Sequence, residues 1–328
     1  MEAIWNTEIM WITALQTAVS GLTSMMRAIT FLGSVDFFIL VMPILYWCVD
    51  TGLGLRVGLI LLLSGHLNGI FKVLFHSPRP FWVSPEVKAL SVETSFGMPS
   101  GHSMNTLSIW GLAAYLFNKR WFTLLSILVI ILVGLSRLAL GMHFLSDVLA
   151  SWMLGLILLL CFVLLEKKVA AWLSHQKLSR LLWIVATSTV ILILLGYFPN
   201  LFMGEFPLPA EWIQNARLAG EDLLPVPYDT QGIFTTAGIW LGMGIGVSII
   251  HRRGGLPRAG SLKNQLLRYV IGLAGLMILW YGLGAVFPRG EELLPLLLRM
   301  LRYSLVGFWI GAGAPCIYLK LNLFIRCL

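Results

Sequence analysis

The sequence predicts an all-α, polytopic membrane helical bundle. Of its 328 residues, 58% are hydrophobic and only 12% are charged, and the mean hydropathy is +0.85. This composition lies far from that of soluble domains. Apolar runs recur along the chain, and most approach the roughly 20 residues that a helix needs to cross a hydrocarbon core. Since these runs are too long and continuous for the strands of a membrane barrel, we expect helices.

Hydropathy predicts about nine spanning helices. They are expected at 34–50, 53–75, 103–117, 121–140, 144–166, 181–199, 233–250, 265–287 and 296–319. The segment 8–30 is less apolar, because polar residues interrupt it, namely Gln16, Ser20, Thr23 and Arg27. We expect an interfacial amphipathic helix there, with a tenth span as the alternative.

The chain divides by content into three parts. Residues 1–32 form the N-terminal amphipathic or membrane helix, residues 33–175 form a core that contains every catalytic candidate, and residues 176–328 form an accessory transmembrane region. In the accessory region, the spacing of Gly238, Gly242 and Gly246 predicts close helix packing. The proline-containing loop at 199–232 is not expected to form a long helix. We interpret it as a connector, with a cap over the site as the alternative.

The distribution of charge predicts the topology. Basic residues fall in alternate gaps between the predicted spans, at 118–120, 167–180, 252–268 and 320–326, and the positive-inside rule makes that face cytoplasmic. One gap on the opposite face contains a single basic residue, Arg217, and five acidic ones: Glu205, Glu211, Glu221, Asp222 and Asp229. The formal charge of +8 therefore reflects topology. No basic stripe interleaved with aromatic residues occurs in a predicted soluble segment, so nucleic acid is not an expected partner.

The cysteine pattern indicates packing residues. Four cysteines lie mainly in apolar runs and lack the spacing of metal ligands: Cys48, Cys161, Cys316 and Cys327. We interpret them as packing residues.

His66 and Asn68 are polar residues inside a predicted span. We interpret them as partners in hydrogen bonds between helices, with a functional role as the alternative.

The first chemical motif is a histidine and an aspartate four residues apart, His143 and Asp147. On a helix this spacing places both side chains on one face. A histidine nucleophile must be neutral at its attacking nitrogen, and a carboxylate on the other nitrogen fixes that tautomer and stabilises the cation that forms. A pair without function is the alternative, but unpaired polar groups at a membrane edge are costly.

The second motif is Pro99-Ser100-Gly101-His102, which precedes an apolar run. Ser100 is a natural N-cap, so the first free N–H groups of the helix face the loop and attract anions. Gly101 allows a phosphate to approach the backbone closely. His102 is then placed to protonate a leaving oxygen. A capped helix whose histidine only faces water is the alternative.

The third feature is a set of three cations, Lys72, Arg79 and Arg137. The planar guanidinium forks match phosphate oxygens, and Pro78 and Pro80 restrict the backbone on both sides of Arg79. A single arginine at a membrane end often only reaches the head groups. The predicted spans bring all three motifs to the same non-cytoplasmic face, which favours one phosphate site.

These three signatures resemble those of the type 2 phosphatidic acid phosphatase family. They are K-x6-RP from Lys72 to Pro80, PSGH at 99–102, and SR-x5-H-x3-D from Ser136 to Asp147. The resemblance covers about residues 30–170 and implies the helical core of that family. It implies the following roles: His143 is the nucleophile that forms a phosphohistidine, Asp147 orients it, and His102 protonates the leaving group. The implied phosphate-binding residues are Lys72, Arg79, Ser100, Gly101 and Arg137.

The resemblance implies that no metal or other cofactor is needed, because three cations and a helix N-terminus stabilise the charge. We expect hydrolysis of a lipid phosphate or an isoprenoid diphosphate, such as a phosphatidate-type lipid or undecaprenyl pyrophosphate. A phosphotransferase that uses the same phosphohistidine is an alternative, and an anion or lipid transporter is a weaker one. The expected location is the bacterial inner (plasma) membrane, with the site facing the periplasm or exterior.

Overall fold

The computed structural model describes residues 2–204, 206–257 and 260–324, and it contains no β-strand within them. Glu205, Arg326 and Cys327, which the sequence arguments used, lie outside the described residues. The first eight helices are α1 (Glu2–Ala18), α2 (Thr23–Phe31), α3 (Val35–Pro43), α4 (Thr51–Phe75), α5 (Pro80–Val83), α6 (Gly101–Phe117), α7 (Arg120–Ala139) and α8 (Leu145–Ser174). The remaining seven are α9 (Leu178–Met203), α10 (Ala210–Ala219), α11 (Thr230–Arg252), α12 (Leu262–Met277), α13 (Leu283–Val286), α14 (Leu293–Phe308) and α15 (Ala314–Lys320).

Seven helical segments of the described chain are long and apolar enough to cross a membrane. They are Thr51–Val83, Arg120–Ala139, Leu145–Ser174, Leu178–Met203, Thr230–Arg252, Leu262–Val286 and Leu293–Lys320. These correspond to seven of the nine predicted spans, and they confirm the all-α, polytopic fold class.

The other two predicted spans are shorter helices. The run at 34–50 forms α3 followed by a π-helical stretch at Ile44–Val49, which begins directly after Pro43. Proline removes a backbone donor and disturbs the hydrogen-bond ladder, which accounts for the irregular turn. The run at 103–117 forms α6, whose 17 residues rise about 26 Å at 1.5 Å per residue, slightly less than a hydrocarbon core.

The segment 8–30 is a bent helix pair rather than one helix. Ala3–Ala18 and Ser20–Phe31 meet at an angle of 73°. The first piece is held by Glu8, whose carboxylate accepts hydrogen bonds of 3.0 Å from the backbone N–H and the hydroxyl of Ser146. Glu8 therefore stabilises the first turn of α8, because the helix dipole favours a carboxylate at this end. The interfacial position predicted for this pair, with a tenth span as the alternative, stays a prediction.

The chain forms two compact units, each discontinuous in sequence. Unit 1 comprises the described residues of Met1–Phe38, Leu63–Val163 and Phe198–Asp229, and unit 2 comprises those of Ile39–Leu62, Leu164–Tyr197 and Thr230–Leu328. The three-part division at residues 32 and 175 follows chain order and stays a prediction. The segment 198–229, interpreted as a connector, belongs to unit 1.

The core of unit 1 is an aromatic cluster that forms around the segment between α4 and α6. Phe81, Trp82, Phe96 and Phe144 are buried in it, together with Ala216 of α10. Burying one large apolar side chain stabilises a fold by about 1.5–3 kcal/mol. These few residues therefore fix the loops at 76–100 and 140–144 against one another.

The core of unit 2 depends on close packing of α11 against α14. A Cβ atom added to Gly238 would lie 2.5 Å from the Met300 carbonyl oxygen, and one added to Gly242 would collide with the Ser304 carbonyl. Such distances leave no room for any side chain. The close helix packing predicted from these glycines is confirmed.

Candidate active site

The cations Lys72 and Arg79 flank the end of the α4 span. Lys72 lies in the last turn of α4, and Arg79 has an extended backbone (φ −94°, ψ 155°) immediately before Pro80, the first residue of α5. Proline at that position needs no backbone donor and disfavours helical geometry in the residue before it. The sequence thus directs the Arg79 side chain out of the helix and into the site.

The PSGH motif forms the start of α6, as predicted. Ser100 is the N-cap and accepts a hydrogen bond from the Ser103 backbone N–H at 3.4 Å. The Ser103 hydroxyl also donates to the Ser100 hydroxyl at 3.0 Å, and both residues are fully buried. Asn68 of α4 donates to the Pro99 carbonyl at 3.0 Å. The polar residue interpreted as a helix-to-helix contact therefore holds the loop that carries this motif.

His143 and Asp147 form the predicted pair, but not on one helix. His143 lies in the turn before α8, and Asp147 lies in the first turn of α8. The prediction that both side chains lie on one helix face is wrong: Asp147 reaches back from α8 to the turn. Its Oδ2 lies 3.3 Å from Nδ1 of His143 and accepts a 3.0 Å hydrogen bond from the Phe144 backbone N–H. Asp147 thus caps its own helix while it holds the imidazole.

The second nitrogen of His143 faces Arg79. Nε2 lies 3.4 Å from Nη1 of Arg79, and both residues are buried. A guanidinium can only donate, so Nε2 has to be the accepting, unprotonated nitrogen. The proton of the neutral imidazole then resides on Nδ1, which donates to Asp147. The lone pair of Nε2 is directed toward the cation of the site.

Burial keeps His143 neutral. It lowers the pKa of His143 well below the ordinary value, and the positive charges of Arg79 and Arg137 lower this pKa further. An imidazole with these neighbours retains a free lone pair at neutral pH. Its environment suits a nucleophile better than a general acid.

Arg79 is fixed by hydrogen bonds on every side. Its Nε donates to the Ser95 carbonyl at 2.6 Å, and its Nη1 donates to the Met142 carbonyl at 3.0 Å. Its Nη2 lies 3.2 Å from Oε2 of Glu93. Because these partners come from two segments, 93–96 and the turn at Met142, the direction of the guanidinium is set before any ligand binds.

Glu93 joins the cations of the separate motifs, and no motif identified it in the sequence. Its Oε1 accepts from Nη2 of Arg137 at 2.9 Å, while its Oε2 pairs with Arg79. The same carboxylate lies 3.7 Å from Nδ1 of His102. A signal did exist: three cations entering one buried site require an anion. Sequence spacing alone could not say which carboxylate provides it.

The surrounding cations keep Glu93 ionised. Burial alone would raise its pKa, but the charges of Arg79 and Arg137 outweigh that effect and hold the pKa at about 2. Its side chain remains 23% exposed. Glu93 is therefore a charged group at the open side of the site, in the position of an anion between two arginines.

Lys72 is directed into the same loop. Its Nζ donates to the Ser95 hydroxyl at 3.0 Å and to the Phe96 carbonyl. The segment 93–96 contacts three cations directly, namely Lys72, Arg79 and Arg137. His143 lies next to this group through its contact with Arg79. The structure thus brings together the cations and the histidine pair predicted from sequence. It also assigns the loop at 93–96 an organising role that hydropathy could not predict.

The segment 198–229 supports this loop, so it is more than a connector. The Val226 backbone N–H donates to the Thr94 carbonyl at 2.9 Å, and Asn215 of α10 donates to the Trp82 carbonyl at 2.9 Å. Phe206 stacks on His76 with ring centroids 4.7 Å apart. The absence of a long helix is confirmed, since α10 has ten residues.

Comparison with known proteins agrees with this geometry. A model of the PAP2 superfamily matches residues 53–171, and a model described as PAP2 superfamily phosphatase, transmembrane extension, matches residues 234–326. Phosphatidylglycerophosphatase B of Bacillus subtilis (strain 168) is 31% identical over 150 residues, which cover 42% of this chain and 71% of that protein. The chain belongs to the PAP2 superfamily. It is an integral, multi-pass membrane phosphatase, and the resemblance noted from its motifs is confirmed.

Two other relatives match smaller shares of their own length, and one solved structure is similar to about half of this chain. Sphingosine-1-phosphate phosphatase 1 of Mus musculus is 34% identical over 40% of this chain and 32% of that protein. Undecaprenyl-diphosphatase of Sulfolobus acidocaldarius is 32% identical over 27% of this chain and 43% of that protein. The crystal structure of the first transmembrane PAP2 type phosphatidylglycerolphosphate phosphatase, from Bacillus subtilis, has a TM-score of 0.43 at 26% identity, covering 52% of this chain and 89% of that chain.

Proposed function

We propose that this PAP2 phosphatase hydrolyses a lipid phosphate or an isoprenoid diphosphate through a phosphohistidine on His143. One observation carries the proposal. The Nδ1 of His143 lies 3.3 Å from Asp147, while its Nε2 faces Arg79 at 3.4 Å. The nitrogen with the free lone pair is thus directed at a cation that can hold the phosphate under attack.

In the first step, the lone pair of Nε2 forms a bond to phosphorus, and the bond to the leaving oxygen breaks. The imidazole becomes positively charged, and the Asp147 carboxylate stabilises this charge through Nδ1–H. Burial and the charges of the site cations hold the pKa of His102 at about 3 before substrate binds. The bound phosphate offsets those cations and raises this pKa, so that His102 takes up a proton and donates it to the leaving alcohol or phosphate. In the second step, His102 takes a proton from water, whose oxygen attacks phosphorus while the bond to Nε2 breaks.

The remaining predicted residues would bind the phosphoryl oxygens. Arg79 and Arg137 supply planar forks, and Lys72 supplies an ammonium group. Ser100 and Gly101 begin α6, whose free backbone N–H groups attract anions. These groups would stabilise the charge of the transferring phosphoryl group without a metal ion.

A lipid substrate is favoured by the position of the site and by the relatives. The histidines and cations lie at the ends of apolar helices, which brings the site to the membrane edge. The names of the relatives refer to phosphatidylglycerophosphate, sphingosine-1-phosphate and undecaprenyl diphosphate. We propose a phosphatidate-type lipid or undecaprenyl pyrophosphate as the substrate class.

We further propose that the site faces the non-cytoplasmic side of a bacterial inner membrane. Basic residues at 118–120 and 167–168 follow α6 and end α8, at the ends of these helices opposite to His102 and Asp147. By the positive-inside rule those basic ends are cytoplasmic. Labelling of a single introduced cysteine at the exposed Glu86 with a membrane-impermeant reagent tests the assignment, which predicts labelling of intact cells from outside.

The deciding experiment is phosphate release by detergent-solubilised protein. The substrates are phosphatidate, phosphatidylglycerol phosphate, undecaprenyl pyrophosphate and a water-soluble sugar phosphate. We expect faster release from the lipids, inhibition by vanadate, and loss of release in His143→Ala. The matched control is His175→Ala, because His175 is an exposed histidine at the far end of α8. Unchanged turnover of His143→Ala would refute the mechanism.

The same assay separates hydrolysis from phosphotransfer. With labelled lipid phosphate and an acceptor alcohol present, hydrolysis delivers the label as inorganic phosphate. Transfer from the phosphohistidine to the alcohol would instead produce a new labelled lipid. We expect inorganic phosphate as the main product.

A further inference from the structure

Unit 2 contains a second group of arginines, remote in sequence from the catalytic motifs. A cavity of about 490 Å³ is lined at its polar side by Arg289, Arg299 and Arg302. Its wall also includes Gln231 and the aromatic residues Trp280 and Tyr281. The cavity is formed where α11 and α14 begin and where α13 ends. Helix ends of spanning segments lie near the membrane interface, where phospholipid head groups occur.

The guanidinium groups of Arg299 and Arg302 lie close together. The two residues are three positions apart on α14, which places them on one side of the helix. Both contact the ring of Tyr303: the Cζ of Arg299 lies 5.6 Å and that of Arg302 lies 4.6 Å from its centroid. Gly284 lets the α13 backbone approach, since an added Cβ there would lie 2.6 Å from Nη1 of Arg302.

These arginines have only neutral partners among the described residues. Arg299 donates to the Thr235 hydroxyl at 2.8 Å and to the Gln231 amide oxygen at 2.7 Å. Arg302 donates to the Tyr303 hydroxyl at 3.0 Å, and its buried Nε has no partner in the described chain. Ion pairs recorded for the described residues include none of the three arginines.

An arginine elsewhere in unit 2 shows the contrast. Arg56 pairs with Glu166 at 3.0 Å. The nearby carboxylates Glu291 and Glu292 are exposed and make no such pair with the cavity arginines within the described residues. Several cations gathered at a partly desolvated position repel one another unless an anion neutralises them. The cavity therefore has the electrostatics of an anion-binding site.

We propose that this cavity binds a phosphate group, presented by the head group of an anionic phospholipid. Two guanidinium forks can each take two phosphate oxygens, and the cavity has space for a glycerol or similar group beside them. Trp280 and Tyr281 supply amphipathic rings of the kind that favour the head-group layer. The site differs from the catalytic centre because it contains no nucleophilic histidine, so it binds the phosphate without reacting with it.

The test measures lipid retention by the full-length protein in detergent, using native mass spectrometry. The probes are phosphatidylglycerol and diacylglycerol with the same acyl chains, and inorganic phosphate is measured separately by calorimetry. We expect phosphatidylglycerol to bind and Arg299→Gln/Arg302→Gln to weaken that binding about tenfold or more, since two interfacial charges are lost. The control is Arg252→Gln/Arg253→Gln, two exposed arginines at the other end of α11.

The outcomes distinguish the sources of the phosphate. Binding of inorganic phosphate that requires Arg299 and Arg302, without retention of phosphatidylglycerol, supports the phosphate site and assigns it to a soluble anion. Equal phosphatidylglycerol binding by the test and control variants would overturn the proposal, as would equal retention of diacylglycerol. If the double variant does not fold, Gly284→Leu keeps both charges but fills the space beside Arg302. It should weaken binding in the same way, and unaltered binding there would refute the site.

Discussion

Glu93 and Arg137 form an ion pair of 2.9 Å between a loop and the end of a spanning helix. The same carboxylate pairs with Arg79 at 3.2 Å. Under the proposed mechanism, these two arginines also bind the substrate phosphate. A carboxylate and a phosphate have the same sign and accept from the same donors, so they compete for these guanidiniums.

Replacing Glu93 by glutamine should therefore strengthen the binding of a phosphate analogue. The amide preserves the shape but removes the competing charge, and like-charge contacts cost several kcal/mol in such sites. We expect the inhibition constant for vanadate to fall about tenfold. Glu86→Gln is the control, because Glu86 is exposed in the same loop. An inhibition constant that does not change in Glu93→Gln contradicts the competition.

The pH dependence of stability should also trace to Glu93. Its pKa in the folded protein is about 2, below the ordinary 4.5. A group with a lowered pKa stabilises the folded state fully above the unfolded value, and this contribution is lost as pH falls toward the folded value. We expect the melting temperature of the protein in detergent to fall below about pH 4.5, and to fall less steeply in Glu93→Gln. Parallel curves for the two proteins would exclude this assignment.

Asp147→Asn should slow catalysis while leaving substrate binding nearly intact. Asparagine can present its NH₂ group to Nδ1 of His143, which favours the wrong tautomer, and it cannot stabilise the imidazolium. We expect kcat to fall by about 10²–10⁴-fold, with little change in KM. Asp36→Asn, an exposed site on α3, is the control. A variant with full kcat would show that Asp147 only caps α8.

The motifs were predictable because they are local, whereas Glu93 was not. The N-cap at Ser100 follows from short-range rules, and the His143–Asp147 pair lies within one turn of chain. The contact between Glu93 and Arg137 joins residues 44 positions apart. Motif spacing predicts only contacts between residues close in sequence, so it could not predict this pair. The same limit applies to the segment 198–229, whose contact with Thr94 depends on tertiary packing.

Hydropathy and helix length diverge at two of the nine predicted spans, where the described helices are short. The run at 34–50 is mostly apolar, but its regular helix gives way to a π-helical stretch directly after Pro43. The bend between α1 and α2 was missed for a related reason, since Ser20–Leu22 forms a short 3₁₀ turn inside a segment with no proline to mark it. Hydropathy measures the preference for lipid and not the continuity of a helix.

Two glycines near the site offer a matched pair of substitutions with different expected outcomes. A Cβ at Gly97 would collide with the backbone carbonyl of Pro78 and lie 3.0 Å from Oδ2 of Asp147. A backbone carbonyl cannot move aside as easily as a flexible side chain. Gly97→Ala should therefore displace the loop and lower the free energy of unfolding by about 1–3 kcal/mol. A Cβ at Gly101 would meet only the Asn68 amide oxygen at 3.3 Å.

Gly101→Ala should therefore fold normally and impair only the approach of phosphate to the α6 N-terminus. We expect an unchanged melting temperature with a raised KM, against a lowered melting temperature and lowered kcat for Gly97→Ala. Thermal unfolding and steady-state phosphate release on both variants test the pair. A fully active Gly101→Ala would remove Gly101 from the phosphate-binding residues. A stable, active Gly97→Ala would mean that the loop can move away from Pro78 and Asp147 without loss of the His143 geometry.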